Sequence, residues 1–373
     1  MIDLFFGLKR LVKRRVVLID NAIFRLHWLL TSVLLISCSV IITARQYVGN
    51  PIDCIQSDEI PISVLNTYCW IHTTFTIPEA FKKKVGVEVP HPGIENTRGP
   101  TVNKKYYSYY QWVCFALFIQ GVLFYFPYYL WKLWEGGLIK TISTGMQIAV
   151  FTDEERGRKK KILFDYLTRN LTCHKLYAYK YFFCEFLCFV NVALQLIFTD
   201  WFFDGEFLDY GISVMEYVRK KDDDKVDPRI FVFPRMTKCL FYTYGSSGDV
   251  QKHDVLCMLP LNVVNEKIYL MLWFWFMFLL SLMIFLCIYR IAILLVTSLR
   301  AYFLKGRCRL SRYKDLKVVC NFGNIGDWFL LYMLGNNLDP LMMKELSEEM
   351  AKQLVKHHQR LNNGCSQETM AIV

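Results

Sequence analysis

Apolar and charged positions fall along this chain in long blocks rather than in a short alternating rhythm. Residues 26–44, 106–131 and 268–289 carry no Asp, Glu, Lys or Arg over 19, 26 and 22 positions, and residues 181–199 carry only Glu185. A helix needs roughly 20 apolar residues to cross the hydrocarbon layer. Each block reaches that length, so the pattern predicts four membrane-spanning helices, at 26–44, 111–131, 180–202 and 268–290. A soluble enzyme with four buried helices is the competing reading, but a core helix seldom runs so far without a charged face.

The segments between the blocks differ in character. Residues 1–25 precede the first span, and Leu4, Leu8, Leu11 and Val12 recur near helical spacing among Lys9, Arg10, Lys13 and Arg14. That fits a helix lying on a leaflet or one folded into a pore mouth. Residues 45–110 hold Asn50-Pro51, Ile60-Pro61 and Pro90-His91-Pro92-Gly93, which predict a largely irregular loop with one short helix near 64–70. Residues 203–267 read differently. Segments 230–233 and 237–243 are rich in β-formers, 245–249 is a Gly/Ser turn, and 255–259 returns as a strand. The expected fold is an all-α membrane protein whose outer loops form a small α+β region.

The remaining segments, 132–179 and 291–373, predict helices. Asp339 can cap a helix with Pro340 at its first position. Met342, Leu346, Met350 and Leu354 then make one apolar stripe, expected to pack on 159–171 or on a neighbouring subunit. Residues 328–334 are apolar but too short to span. Pro127 lacks an amide donor inside the second span and should kink it. Glu185, the one acid well inside a span, is either functional or a structural contact, with Lys180 as the nearest cation along the helix.

Composition agrees with the blocks. Hydrophobic residues make up 54% and aromatics 16%, and Trp28, Trp112, Trp131, Trp201 and Trp273 sit at block ends, where an aromatic belt would lie. Four spans put both termini on one side. That side, residues 1–25, 132–179 and 291–373, carries 26 Lys/Arg against 14 Asp/Glu, whereas 45–110 and 204–268 carry 16 against 17. Excess Lys/Arg marks the cytosolic face. The net charge of +11 is therefore a topology signal, and Arg158-Lys159-Lys160-Lys161 reads as a basic loop beside anionic lipid, not as a nucleic-acid patch.

Topology sorts the 13 cysteines. Cys38, Cys114, Cys184, Cys188 and Cys287 lie in spans, and Cys173, Cys308, Cys320 and Cys365 face the reducing cytosol. Cys54 and Cys69 in the first outer loop, with Cys239 and Cys257 in the second, are placed for disulfides. Four cysteines permit three pairings. A metal site with His253 is the weaker alternative, since neither loop has Cys-x-x-Cys spacing. The sequence lacks a phosphate loop, a His-Glu-x-x-His and a Gly-x-Ser-x-Gly. No catalytic residue, cofactor or metal ligand is expected, and an enzyme is the least supported class.

Tyr109-Tyr110-Gln111-Trp112-Val113 resembles the signature of the innexins, the gap-junction channel proteins of invertebrates. Similar stretches are Arg45 through Cys54, Leu65-Asn66-Thr67-Tyr68-Cys69-Trp70, Phe203 through Phe207, Phe233 through Cys239, Leu259 through Lys267, and Gly326 through Leu331. The likeness covers the chain to about residue 340 and points to an insect member. It implies a ring oligomer, octameric in known cases and homomeric or mixed with other innexins, around a central pore. It further implies docking of two hemichannels through their outer loops, at gap junctions of the plasma membrane. It pairs Cys54 with Cys257 and Cys69 with Cys239. It places Met1, Ile2, Asp3, Leu4 and Phe5 at the narrowest part of the pore and makes Pro127 a gating kink. The residues add that the first span, with Thr31, Ser32, Ser37, Ser39 and Thr43, is the expected pore lining. An undocked hemichannel releasing small metabolites such as ATP, and an adhesion scaffold, are the alternatives.

Overall fold

The computed structural model describes residues 17–55, 60–97, 103–143, 153–220 and 227–370. Four helices are long and apolar enough to cross a membrane: α1 (Ala22–Val48), α3 (Val113–Glu135), α6 (Lys175–Phe202) and α9 (Pro260–Leu295). Three outrun their uncharged blocks at both ends because helix propagation does not stop where charge begins, and α9 extends eight residues ahead of residue 268; α3 starts seven residues inside its block and passes only its far end. Helix α1 opens with an α-helical turn at Ala22–Arg25 and passes through a turn of π-helix at Leu26–Leu30, which buries His27 and Trp28.

Shorter elements connect them. The first connection holds β1 (Asp53–Ile55), α2 (Ile62–Ile71), β2 (Thr74–Thr76) and β3 (Lys105–Tyr107). The second holds α4 (Leu138–Ser143) and α5 (Asp153–Arg169). The third holds α7 (Phe207–Lys220), α8 (Pro228–Val232), β4 (Met236–Tyr244) and β5 (Val250–Met258). After α9 come α10 (Thr297–Arg307), α11 (Tyr313–Phe322), α12 (Ile325–Leu334) and α13 (Pro340–Met370).

The chain forms two compact units, Met1–Leu29 with Tyr125–Val190 and Leu282–Val373, and Leu30–Phe124 with Asn191–Ser281. The second unit contains a five-stranded antiparallel sheet in the order β1-β5-β4-β2-β3. The hairpin β4–β5 turns through Gly245–Asp249, where Gly248 takes φ +86°, as the Gly/Ser composition predicted. The first loop is more ordered than its prolines suggested, because three of its segments add to this hairpin. Residues 230–233 are a correction: their β-formers sit in α8, not a strand. Asp227 caps that helix by accepting from the Arg229 N–H at 3.0 Å, and Pro228 occupies its first turn. Capping outweighs a four-residue β preference here.

The first unit is built around α12, whose every residue but Tyr332 is buried. The Asp327 carboxylate accepts from the Asn324 N–H at 3.0 Å and from the Thr172 N–H at 3.0 Å, and the Trp328 indole donates to the Arg300 carbonyl at 2.8 Å. Helix α13 starts as expected, with the Met342 N–H donating to Asp339 Oδ2 at 3.3 Å and Met342, Leu346 and Met350 buried. It packs within the chain on α5, where Lys160 Nζ meets Glu345 at 3.1 Å and Glu349 at 3.4 Å.

Two expected outcomes follow from this unit. A Cβ at Gly326 would overlap the backbone carbonyl of His174 and the Lys175 nitrogen, which cannot rotate away. Gly326→Ala therefore costs about 1–3 kcal/mol, as overpacking does, and lowers the apparent Tm of the purified protein. Cys308 and Cys320 are buried, and desolvation pushes both thiols up to about 12. Few thiolates form there at neutral pH. A thiol reagent under native conditions should label exposed Cys173 and spare both until the unit unfolds; mass mapping of labelled peptides checks this.

Candidate functional site

The outer-loop cysteines converge in the second unit. Cys54 on β1 lies opposite Cys257 on β5 and is bonded to it, with Cα atoms 4.0 Å apart. Cys69, in the last turn of α2, is bonded to Cys239 on β4, with Cα atoms 5.9 Å apart. Each bridge joins the first loop to the second. The four half-cystines pack with Ile52, Leu65, Val255 and Leu259 in a small buried core, and Tyr68, Trp70 and Phe241 cover its edge. Sγ atoms of Cys54, Cys69 and Cys257 lie within 4.8 Å of one another, but all are spent in disulfides, so the cluster offers no thiolate to a metal.

Further ties join the loops. Lys238 Nζ, largely buried, meets Asp254 at 2.5 Å and donates to the Glu95 carbonyl at 2.8 Å. Fully buried Glu266, near the start of α9, collects Arg235 at 3.0 Å, Arg229 at 3.7 Å and Lys267 at 2.9 Å. The Asn262 amide donates to the Pro234 carbonyl at 2.9 Å.

The signature at 109–113 sits where the first loop enters α3, and it works as a fastener. The Tyr109 hydroxyl donates to the Val232 carbonyl at 3.1 Å, and its ring meets the edges of Phe203 and Phe233. The Tyr110 hydroxyl donates to the carbonyls of His72 at 3.1 Å and Cys69 at 3.3 Å. The Gln111 amide donates to the Trp70 carbonyl. Val113 is buried, whereas Trp112 is exposed. Three of the five residues therefore hold α2, α8 and the loop ends onto the helix.

The first unit holds the root of the amino-terminal segment. Asn337, just after α12, pairs with the backbone of Leu18 in both directions, accepting at 2.7 Å and donating at 2.7 Å. The Trp131 indole donates to the Ile19 carbonyl at 2.8 Å. Buried Asp20 accepts from Arg25 at 2.6 Å and from the Trp28 indole at 2.8 Å. Asn21 caps α1 through the Phe24 N–H at 2.6 Å, and its amide donates to Glu185 at 2.5 Å. Glu185 is thus structural within the subunit. Its cation is not Lys180 but Arg290, which reaches both carboxylate oxygens at 2.6 and 2.8 Å. Lys180 instead lies over the Trp134 ring. Met1, Ile2, Asp3, Leu4 and Phe5 lie outside the described residues. Pro127 lies inside α3, one residue before Tyr128, whose ring stacks on Trp28 with centroids 3.9 Å apart.

The hydroxyls of α1 divide between buried and partly open positions. Thr31, Ser32 and Ser39 are buried in the subunit, and only Ser37 and Thr43 are partly open. Thr31 accepts from the Trp275 indole at 3.0 Å, Ser39 donates to the Cys114 carbonyl at 2.8 Å, and Thr43 donates to the Ser39 carbonyl at 2.8 Å. In an apolar surround a hydroxyl gains most from a protein partner, so helix packing claims them. Sequence reasoning missed the roles of Asn337 and Arg290 because each acts across a large sequence separation.

The innexin family model matches residues 20–354. Innexin shaking-B of Drosophila melanogaster is 49% identical over 360 residues, covering 96% of this chain and 97% of that protein. Innexin inx1 of Schistocerca americana is 49% identical over 354 residues, covering 95% and 98%. Innexin inx3 of Drosophila melanogaster is 38% identical over 334 residues, covering 89% and 84%. With four apolar helices of spanning length and two disulfide-bridged connecting segments already in place, these matches make the chain a member of the innexin family.

Proposed function

We propose that this protein is the subunit of a gap-junction channel that passes ions and small solutes between adjacent cells. Residues 1–25, 132–179 and 291–373 are cytoplasmic, and 45–110 and 203–267 face the gap. Several subunits, by family resemblance eight and either identical or mixed with other innexins, surround a pore in the plasma membrane. The observation that carries the reading is the outer lobe: two disulfides and one sheet join both loops into a single body above four apolar helices. A lobe so constrained loses little entropy when it docks on the lobe of a facing hemichannel. The signature supports this role by fixing α2 and α8, and Asn337 with Trp131 support a pore-entrance role for the amino-terminal segment by fixing its root at residues 18 and 19.

Paired cells expressing only this chain test the proposal. A junctional current and tracer transfer to the neighbour are expected. Images of the purified protein should show rings, with some stacked in pairs. Tracer lost only to the medium would refute docking, and no conductance in liposomes would refute the pore.

A further inference from the structure

Helix α7 follows α6 after a turn of four residues, and two separate contacts fix its level. Asp204 and Gly205 take φ +56° and +83°, and the Gly205 N–H returns to the Asp200 carbonyl at 2.8 Å. The Leu208 N–H then donates to Asp200 Oδ1 at 2.9 Å. Residue 208 is thereby level with residue 200, inside the last turn of α6. From the other side, the Trp273 indole donates to the Leu208 carbonyl at 2.9 Å. A Cβ at Gly211 would overlap the Trp273 ring, so the α7 backbone lies directly on α9 there. Trp273 stands five residues inside the uncharged block that opens at 268. At 1.5 Å per residue that is roughly 8 Å past its edge.

Only part of the apolar arc of α7 is covered. Phe207, Tyr210, Gly211 and Val214 are buried, at the spacing of one helix face. Leu208, Ile212 and Met215 form a second row beside it, and they are 43%, 48% and 45% exposed. Asp209, Ser213 and Glu216 occupy the remaining side and are also exposed. A helix in water would put charge along this row, which carries none until Arg219 in the last turn of α7. At the same level on α6, Ile197 and Trp201 are uncovered too, Trp201 at 73%. A wide apolar arc, a charged opposite face and a seat between Asp200, the first charge past the α6 block, and a level roughly 8 Å inside the α9 block are what a helix at the boundary of headgroups and acyl chains requires.

We propose that α7 is an interfacial helix: Leu208, Ile212 and Met215 enter the lipid, and Asp209, Ser213 and Glu216 face water. The bilayer itself is the partner of this row. The outer lobe is then held to the membrane by a lipid-seated helix as well as by the ends of the spans, and the lipid sets its tilt and height. That the leaflet is the outer one rests on the topology proposed above; the lipid seat does not.

Spin labelling of the full-length protein in phosphatidylcholine liposomes tests this. Cys173, Cys287 and Cys365 are first replaced with serine. A nitroxide is then placed at Ile212→Cys, Met215→Cys or Ser213→Cys, and collisions with oxygen and with an uncharged nickel chelate are measured by power saturation. Positions 212 and 215 should favour oxygen over nickel severalfold, as lipid-facing sites do, and 213 should reverse the ratio. Nickel reaching 212 and 215 as readily as 213 would place the row in water and overturn the proposal. Exclusion of both relaxers with an immobilised spectrum would place the row against another subunit, and overturn it equally.

Discussion

Arg290→Leu is expected to destabilise the protein by about 3–5 kcal/mol, the cost of leaving a buried charge without its partner. Both partners are nearly out of reach of solvent, with side chains 7% and 3% exposed. Removing the guanidinium leaves the Glu185 carboxylate, among the described residues, with only the Asn21 amide at 2.5 Å. The damage should reach the start of α1, because Asn21 caps it while it holds Glu185. The apparent Tm of detergent-purified protein, taken at one scan rate, should fall by several degrees, and surface expression should fall with it. Glu185→Leu combined with Arg290→Leu should recover most of the loss, since two apolar groups of similar volume often match or exceed a buried ion pair. If Arg290→Leu melts with the parent protein, the pair contributes nothing and the root of α1 is held by its other contacts alone.

What could be read ahead of the structure follows the range over which each signal acts. The four spans were legible because a block of twenty uncharged residues reports on its own environment. The β4–β5 hairpin was legible because strand formers flank a Gly/Ser turn. The cap at Asp339 was legible because Asp and Pro act on the helix they begin. Strands β1, β2 and β3 were not, as three residues carry no periodicity and these exist only because β5 and β4 offer edges to β1 and β2, and β2 in turn offers one to β3. Helix α8 could have been found: Asp227-Pro228 is the same start signal as Asp339-Pro340, and it was outweighed by Ile230, Phe231 and Val232. The cation for Glu185 was placed on Lys180 because helical spacing links residues of one helix, whereas Arg290 arrives 105 residues later on another. The hydroxyls of α1 are ambiguous for a related reason. A polar stripe in a span reports that something polar or hydrogen-bonding lies opposite; it does not distinguish water from the backbone of the next helix.

Loss of either outer bridge should abolish cell-to-cell coupling, and the way it is removed should matter. The bridges close 203 and 170 residues of chain, for which the chain-entropy model gives more than 4 kcal/mol each. The bilayer already confines the ends of these loops in the unfolded reference, so about 2–4 kcal/mol is the better expectation. That is enough to loosen a lobe in whose buried core the half-cystines are four of eight residues. Cys69→Ser with Cys239→Ser should leave Cys54–Cys257 intact, keep β1 on β5, and free α2 from β4. Junctional current between paired cells should vanish while the protein still reaches the surface. Cys239→Ser alone should behave differently. It leaves a Cys69 thiol within 4.8 Å of both sulfurs of the surviving bridge, close enough to attack it. Exchange through a thiolate would then scatter the pairing among Cys54, Cys69 and Cys257. Peptide mapping should find one disulfide species in the double variant and several in the single one. Normal coupling in the double variant would mean that the sheet, and not the sulfur, holds the docking face in shape.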